Sequence, residues 1–242
     1  MIPANAGPRR RDVSRLLWGD VSPYVNFPHR RFRGDTQGWN SQHFYLHETI
    51  QRLRPEIIVE VGVWKGGSVI HMAGAARQAG LAATVIAIDT WLGSAEHWDT
   101  PEWREDLLFS NGYPMLYYTF LANIVERGLQ DLVVPLPLDS QSASQVLKTR
   151  GLRPSMVHLD SGHDYLSVVS DLHRWWDMLE PGGALIVDDY DPAGVVWPEV
   201  KRAVDDFLKL MPHERFSAHP YKCRFFKAAA AAGRDYELIS AE

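Results

Sequence analysis

Cysteine is almost absent from this chain of 242 residues, in which Cys223 is the only one. A single cysteine excludes an intrachain disulfide and a zinc site built from cysteines, and it suits a reducing compartment. No apolar run reaches the length of a membrane-spanning helix, and the basic run Arg9–Arg11 is not followed by the apolar stretch of a signal peptide. We therefore expect a cytoplasmic protein without a membrane anchor.

An excess of positive charge is also lacking. The formal net charge at pH 7 is -5, which gives no reason to expect a nucleic acid or an anionic membrane as a partner.

Tryptophan, in contrast, is abundant, with nine residues. Trp39, Trp91, Trp98 and Trp103 fall in predicted loops or at the ends of predicted elements. Aromatic side chains in such loops often line a binding cleft.

Apolar strands alternate with amphipathic helices along most of the chain. Five strands, each followed by a helix, are predicted at 57–61, 84–89, 132–136, 156–159 and 184–189. Two later strands, at about 215–219 and 223–227, end the fold. This alternation is typical of an α/β fold with a doubly wound parallel sheet. The long aromatic and acidic segment 91–113 favours a lid rather than a simple connection.

The chain divides into three expected segments. Residues 1–40 are polar and rich in arginine and proline, with weak periodicity, so we interpret them as an irregular N-terminal arm. Residues 41–227 contain all the predicted strands and form the domain. Residues 228–242 are expected to be a C-terminal tail.

A glycine-rich turn, Val59-Glu-Val-Gly-Val-Trp-Lys-Gly-Gly-Ser68, joins the first strand to its helix. Gly62 allows a sharp turn, and the two glycines before Ser68 let a ligand approach the helix N-terminus. Asp89, at the end of the second strand, is placed to accept hydrogen bonds from both hydroxyls of a ribose. Trp64 replaces the middle glycine of the dinucleotide fingerprint. That replacement argues against NAD and leaves room for a smaller nucleoside.

Three aspartates close two of the predicted strands: Asp160 follows 156–159, and Asp188 with Asp189 ends 184–189. The carboxyl ends of parallel strands meet at the sheet edge where α/β folds bind ligands. Carboxylates gathered there would repel each other unless a cation lay between them, and oxygen ligands suit a hard ion such as Mg²⁺. His163 follows in a glycine-containing turn, and histidine is the usual side chain for removing a proton near neutral pH.

These motifs resemble, in order and spacing, those of class I S-adenosylmethionine-dependent methyltransferases. The resemblance is carried by Glu60-Val-Gly-Val-Trp-Lys-Gly66, Asp89, Asp160 and Pro181-Gly-Gly183. Leu159-Asp-Ser-Gly-His-Asp-Tyr165 and Val187-Asp-Asp-Tyr190 resemble metal-dependent O-methyltransferases of the macrocin and mycinamicin type, and the cephalosporin hydroxylase-like group is similar too. The resemblance covers about residues 40–227. It implies a Rossmann-like seven-stranded sheet whose last strand is antiparallel, with 41–227 as the methyltransferase domain.

The same resemblance implies which residues form the site. S-adenosylmethionine would lie over the first two strands, where Glu60 and Gly62 flank its methionine moiety. Its ribose would bind Asp89, and its adenine would lie near Asp139 or Ser140. The predicted cofactor-binding set is completed by Trp64, Gly66, Ser68 and Trp91. Mg²⁺, or another hard divalent ion, would bind Asp160, Asp188 and Asp189, while Asp160 and His163 are the predicted catalytic residues, with His163 as the general base.

The predicted function is therefore methyl transfer from S-adenosylmethionine to a hydroxyl group of a small molecule, such as a sugar or vicinal diol of a natural product. The resemblance also makes a homo-oligomer an expected assembly. Three alternatives stay open: an NAD-dependent oxidoreductase, a metal-dependent oxygenase and a non-catalytic cofactor-binding module. An aspartate-only site lacks the two histidines expected for non-haem iron, and a pure binding module has no use for a base beside a metal.

Overall fold

A seven-stranded sheet organises the computed structural model, which describes residues 8–32 and 34–229. The order of its strands is β3-β2-β1-β4-β5-β7-β6. The strands are β1 (Ile57–Val61), β2 (Thr84–Ile88), β3 (Val133–Leu136), β4 (Met156–Leu159), β5 (Ala184–Asp188), β6 (Glu214–His219) and β7 (Lys222–Phe226). Strands β1 to β5 are parallel, whereas β7 runs antiparallel to both β5 and β6. The predicted α/β fold with an antiparallel last strand is confirmed.

Helices cover both faces of this sheet because successive strand residues point to opposite sides. Val59 and Val157 face one hydrophobic cluster, whereas Ile58 and Met156 face the other. The helices are α1 (Pro8–Trp18), α2 (Phe44–Leu53), α3 (Gly67–Gln78), α4 (Ala95–Asp99), α5 (Pro101–Asp106), α6 (Leu116–Glu126), α7 (Ser140–Thr149), α8 (Tyr165–Met178) and α9 (Pro198–Leu210). None of the described helices is both long enough and apolar enough to span a bilayer.

The N-terminal arm is not wholly irregular. Residues 8–18 form helix α1, so the prediction of an irregular segment is wrong there. Among residues 13–18, whose side chains are described, Val13 and Leu17 pack against the core. The Trp18 indole donates a hydrogen bond of 2.8 Å to the carbonyl oxygen of Pro135. Residues 1–7 and 230–242 lie outside the described part, so most of the expected tail and the domain boundaries remain predictions.

Segment 91–113 forms a small structure of its own between β2 and α6. It contains the short helices α4 and α5 and a bridge between Ser110 and Tyr113. We refer to this segment as the lid. Trp91, at its start, is buried with 1% exposure, whereas Trp98 is 41% exposed.

Gly62 brings the ends of β1 and β4 into backbone contact. It has φ +81°, and a Cβ atom built on it would lie 1.7 Å from the carbonyl oxygen of Asp160. The Asp160 amide in turn donates to the carbonyl oxygen of Val61 at 2.8 Å. The strand end that carries Asp160 therefore lies directly against the glycine-rich turn, and only glycine fits this position.

We expect Gly62→Ala to lower the free energy of unfolding by about 3 kcal/mol or more, because both backbone strain and a clash with backbone atoms oppose the side chain. Gly74→Ala is the matched control. It lies within α3, and a Cβ atom there meets nothing within 4 Å, so alanine should stabilise the protein by up to about 1 kcal/mol. Urea unfolding of both variants measures the difference. Equal stabilities would contradict the close approach at Gly62.

Candidate active site

A cavity of about 510 Å³ opens at the carboxyl ends of the parallel strands. Its walls come from the arm, the glycine-rich turn, the lid, the loops after β2 to β5 and the β6–β7 hairpin. Six carboxylates line it: Asp89, Glu96, Asp139, Asp160, Asp188 and Asp189. Within the described chain, no lysine or arginine is among the lining residues. The cavity is therefore suited to a ligand that carries positive charge.

The cavity brings together nine of the predicted site residues: Gly62, Trp64, Asp89, Asp139, Ser140, Asp160, His163, Asp188 and Asp189. Four other members of the predicted cofactor set are not among the lining residues: Glu60, Gly66, Ser68 and Trp91. Each of these four nevertheless supports the cavity wall, in the ways described next.

Asp89 holds the glycine-rich turn in place. Its Oδ2 accepts hydrogen bonds from the amides of Val63 at 2.8 Å and Trp64 at 2.9 Å, and its Oδ1 accepts one from the Trp91 amide at 2.7 Å. Each carboxylate oxygen has two acceptor sites, so Oδ1 keeps one site for a further donor in the cavity. The residue can therefore shape the turn and bind a ligand hydroxyl at the same time.

Two of the residues outside the cavity pack behind the turn. Gly66 caps α3 with φ +89°, and a Cβ atom there would lie 2.8 Å from the ring of Phe120. The Trp91 indole donates to the carbonyl oxygen of Trp64 at 2.9 Å, and its ring lies 4.9 Å from those of Tyr117 and Phe120. Both contacts are structural.

Glu60 and Ser68 lie in the interior beneath the turn. Glu60 is fully buried; its Oε1 accepts a hydrogen bond from the Ser68 hydroxyl and lies 3.0 Å from Nδ1 of His158. Its Oε2 has no hydrogen-bond partner among the described residues. One Glu60 oxygen lies within 4.8 Å of a ligand atom of Asp160, which does line the cavity. A buried carboxylate oxygen without a donor is costly, but Glu60 does not line the cavity, so a ligand there has no direct access to this atom.

Asp139 and Ser140 begin helix α7 at the end of β3. Asp139 caps the helix by accepting hydrogen bonds from the Ser142 amide at 2.8 Å and the Ser142 hydroxyl at 2.7 Å, which lower the pKa of the carboxyl group. The Ser140 hydroxyl donates to Asp171 at 2.5 Å and accepts from the Trp175 indole at 2.9 Å. Its side chain is therefore committed to helix α8, whereas Asp139 is exposed at the cavity.

The three aspartates of the predicted metal site have different partners. Asp188 is paired with the buried ammonium of Lys222, and its Oδ1 accepts the Asp189 amide at 2.9 Å. Asp189 contacts Nε2 of His163 at 2.9 Å. No described group donates a hydrogen bond to the Asp160 side chain, and burial together with the charge of Asp188 raises its pKa well above the ordinary value. Asp160, His163 and Asp189 offer ligand atoms within 4.8 Å of one another, a grouping of described residues that does not include Asp188.

His163 lies between two carboxylates. Nδ1 faces Glu96 of the lid at 3.1 Å, Nε2 faces Asp189, and the ring stacks on Trp197 with centroids 4.0 Å apart. Burial alone would lower the pKa of this imidazole, but the hydrogen bonds and charges of Asp189 and Glu96 raise it to about 9. An added proton on His163 is therefore well stabilised.

Aromatic rings form the wall between the arm and the lid. Trp39 of the arm lies 5.4 Å from Trp103 and 6.5 Å from Trp64, and His97 lies 4.3 Å from Trp64. Below them, the nearly buried ammonium of Lys65 pairs with Asp35 of the arm at 2.6 Å and with Asp106 of the lid at 2.8 Å. Arm and lid are thus fixed to the glycine-rich turn through one lysine.

A match to a known family identifies the kind of domain that contains this cavity. A family model described as a methyltransferase domain matches residues 59–190, from β1 to just after β5. The chain belongs to this methyltransferase family. The matched segment contains Asp89, Asp139, Asp160, His163 and Asp189 within the same domain.

Solved structures show that the methyltransferase shares its fold with several other proteins. The O-methyltransferase NovP is 19% identical, with 91% of this chain and 98% of that chain covered and a TM-score of 0.59. The O-methyltransferase TomG from Streptomyces achromogenes, solved with S-adenosylmethionine, is 17% identical over 95% and 99% of the two chains, at a TM-score of 0.55. The S-adenosylhomocysteine-bound methyltransferase PaMTH1 from Podospora anserina is 12% identical, with 94% of this chain and 98% of that chain covered and a TM-score of 0.56.

Four residues at the site of the methyltransferase have no role in the sequence-based prediction: Glu96, His158, Trp197 and Lys222. His158 carried a usable signal, since it is the one polar residue within the strand Met156–Leu159. The other three belong to the lid, the loop after β5 and the hairpin, and nothing local in the sequence indicates that they converge.

We expect Lys65→Met to lower the free energy of unfolding by roughly 1–3 kcal/mol, because it removes the nearly buried ammonium that contacts both Asp35 and Asp106. The lid should also become more sensitive to limited proteolysis, since Asp106 loses its anchor. Lys148→Met serves as the control: that lysine pairs with Asp177 at 3.4 Å, and both side chains are 70% exposed. Indistinguishable proteolysis rates in the two variants would show that Lys65 does not hold the lid.

Proposed function

We propose that the methyltransferase transfers a methyl group from S-adenosylmethionine to a hydroxyl group of a small molecule. The observation that carries this proposal is the single cavity in which Asp89 and the Asp160–His163–Asp189 group meet. Asp89 suits the cofactor, and the Asp160–His163–Asp189 group suits the reacting hydroxyl. Because the cofactor carries the methyl group on a sulfonium, an acid-lined cavity also suits its charge.

The residues present fit S-adenosylmethionine in three places. Gly62 lines the cavity at the turn where the methionine moiety would lie, with the fully buried Glu60 behind it. Asp89 retains an acceptor site for a ribose hydroxyl, and Asp139 stands at the cavity edge for the adenine. The reported complexes of TomG with S-adenosylmethionine and of a Bacillus cereus O-methyltransferase with S-adenosylhomocysteine support this assignment. When bound, the cofactor supplies an electrophilic methyl group.

A divalent cation such as Mg²⁺ fits the same edge of the sheet. Asp160 has no donor, Asp189 lies beside it, and His163 completes a group of ligand atoms within 4.8 Å. We assign the ion to Asp160 and Asp189, because the carboxylate of Asp188 is already paired with Lys222. When bound there, the ion would lower the pKa of the acceptor hydroxyl and fix its position.

His163 takes the proton that the hydroxyl group loses. Between Glu96 and Asp189 its pKa is raised to about 9, so at neutral pH the imidazole carries protons on both nitrogens while Asp189 is uncompensated. A divalent ion on Asp189 would offset the charge of that carboxylate, lower the pKa of His163 and free Nε2 as the proton acceptor, while Glu96 keeps the proton on Nδ1. The stacking contact with Trp197 holds the ring in its plane. Orienting the two reactants for in-line displacement supplies most of the remaining acceleration, roughly 7–11 kcal/mol in well-aligned systems.

The enclosure of the cavity by the arm and the lid supports a small molecule as acceptor, and paired acid groups favour a diol that can chelate an ion. A sugar and a catechol both meet this description. No observation favours the NAD-dependent alternative, because Trp64 lines the cavity at the turn where the middle glycine of a dinucleotide site would lie.

The cofactor assignment predicts that S-adenosylhomocysteine binds and that Asp89→Ala weakens its binding at least about tenfold, because the ribose partner is lost and the turn is loosened. Isothermal titration calorimetry measures both dissociation constants, with NADH as the competing ligand. Asp131→Ala, which removes a surface ion pair with Arg77, should bind like the unaltered protein. Binding of NADH in place of S-adenosylhomocysteine would overturn the assignment.

For the reaction itself, incubation with methyl-labelled S-adenosylmethionine and a panel of catechols, sugars and other diols should yield O-methylated product. His163→Gln should then lower kcat by about 10²–10⁴-fold, because proton removal is lost, while the Kd for S-adenosylhomocysteine changes little. His173→Gln, on the outer face of α8, is the control. A full-rate His163→Gln variant would assign proton removal to another group.

A further inference from the structure

Lys222 is a buried lysine that the proposed reaction does not use. It is the first residue of β7, directly after the two-residue turn that joins β6 to β7, and it is the register partner of Asp188 on β5. Its exposure is 0%, and it is the only lysine or arginine among the largest fully buried side chains of the described chain. An ammonium group in such a place is stable only when it is well paired.

The contacts of Lys222 connect both sides of the site. Its Nζ donates to Oδ2 of Asp188 and lies 3.1 Å from Nε2 of His158. On its other side, Nδ1 of His158 lies 3.0 Å from Oε1 of Glu60. A line of buried polar side chains therefore crosses β1, β4, β7 and β5 beneath the cavity.

Asp188 passes this constraint to its neighbour. Its Oδ1 accepts the backbone amide of Asp189, and Asp189 leaves the strand with a left-handed φ of +58°. That backbone conformation directs the Asp189 carboxylate to His163 at 2.9 Å. Lys222 thus fixes Asp188 directly and Asp189 through it.

Lys222 is the nearer of two basic groups that face Asp188. Its Nζ is in direct contact with Oδ2, whereas Nε2 of His158 lies 3.7 Å from the same oxygen. Burial and the charge of Lys222 act to lower the pKa of His158, but its hydrogen bonds to Asp188 and Glu60 raise it to about 9. His43 is also nearby, but burial and the charge of Lys222 lower its pKa to about 4, so that it is neutral at physiological pH. Asp188 itself is only 5% exposed.

We propose that Lys222 is a built-in cation that withholds Asp188 from metal binding and positions Asp189, so that a divalent ion at this edge is held by Asp160 and Asp189 only. The inference rests on the proposed function, because it concerns the cation assigned there. It departs from the three-aspartate site that the sequence motif implies. In that site Asp188 would bind the ion, whereas here it binds the ammonium of Lys222.

Three variants and a control test this inference with Mn²⁺ as the probe, measured by electron paramagnetic resonance. Asp189→Asn should weaken Mn²⁺ binding about 10–100-fold, because a ligand is lost. Lys222→Met should tighten it about tenfold, because Asp188 is released. The double variant Lys222→Met/Asp188→Asn removes both buried charges. It should keep the Mn²⁺ Kd within about threefold, and its unfolding midpoint in urea should stay near that of the unaltered protein. Lys209→Met, at an exposed ion pair, should change neither quantity.

The double variant decides the matter if Lys222→Met alone does not fold. A loss of Mn²⁺ affinity of about tenfold or more in the double variant would show that Asp188 is a ligand and overturn the inference. A double variant that is as strongly destabilised as Lys222→Met would also overturn the inference. It would show that Lys222 and Asp188 do not compensate each other's charge in the unaltered protein. Unchanged Mn²⁺ binding in a folded Lys222→Met variant would also overturn the inference.

Calorimetry with S-adenosylhomocysteine on the same proteins separates this inference from the proposed function. If the unaltered protein binds neither S-adenosylhomocysteine nor Mn²⁺, the proposed function fails. If it binds S-adenosylhomocysteine but not Mn²⁺, a Lys222→Met variant that gains Mn²⁺ binding still supports the role of Lys222. A variant that gains none overturns it.

Discussion

Negative charge collected at the carboxyl ends of four parallel strands is the constraint that shapes this methyltransferase. Most of the carboxylates there have their own form of compensation. Asp89 receives three backbone amides, Asp188 receives a buried ammonium, and Asp189 shares an imidazole with Glu96 of the lid. Asp160 and one oxygen of Glu60 are left without a donor. The fold thereby satisfies most of its own acids, and of the two groups left without a donor, Asp160 is the one that lines the cavity.

Much of this could be predicted from local sequence, because the strands are short apolar runs with clear ends. The bounds of β1 and β4 agree with the prediction, and the glycine-rich turn and the acids lie at the expected edge of the sheet. The location of the site follows from topology alone, since parallel strands bring their carboxyl ends together. Helix α1 could not be predicted in this way, because the segment is polar and rich in arginine and proline and shows weak apolar periodicity.

The partners of the acids could not be predicted in the same way. Lys222 meets Asp188 only through the pairing of β7 with β5, which are far apart in sequence. One clue was present: adjacent strand residues point to opposite faces. Asp188, the last residue of β5, follows the direction of Ile186 towards the layer of α2 and α3. Asp189 reaches the cavity because its backbone turns away from the strand. Two consecutive aspartates at a strand end are therefore weak support for a shared ion.

The double anchoring of Lys65 has a mechanical consequence. One nearly buried ammonium serves both the arm, through Asp35, and the lid, through Asp106. Neither segment can swing outward by itself without leaving that charge half-compensated in a poorly hydrated place. The arm and the lid are thus electrostatically coupled, because a displacement of either one removes a partner from the ammonium that also holds the other.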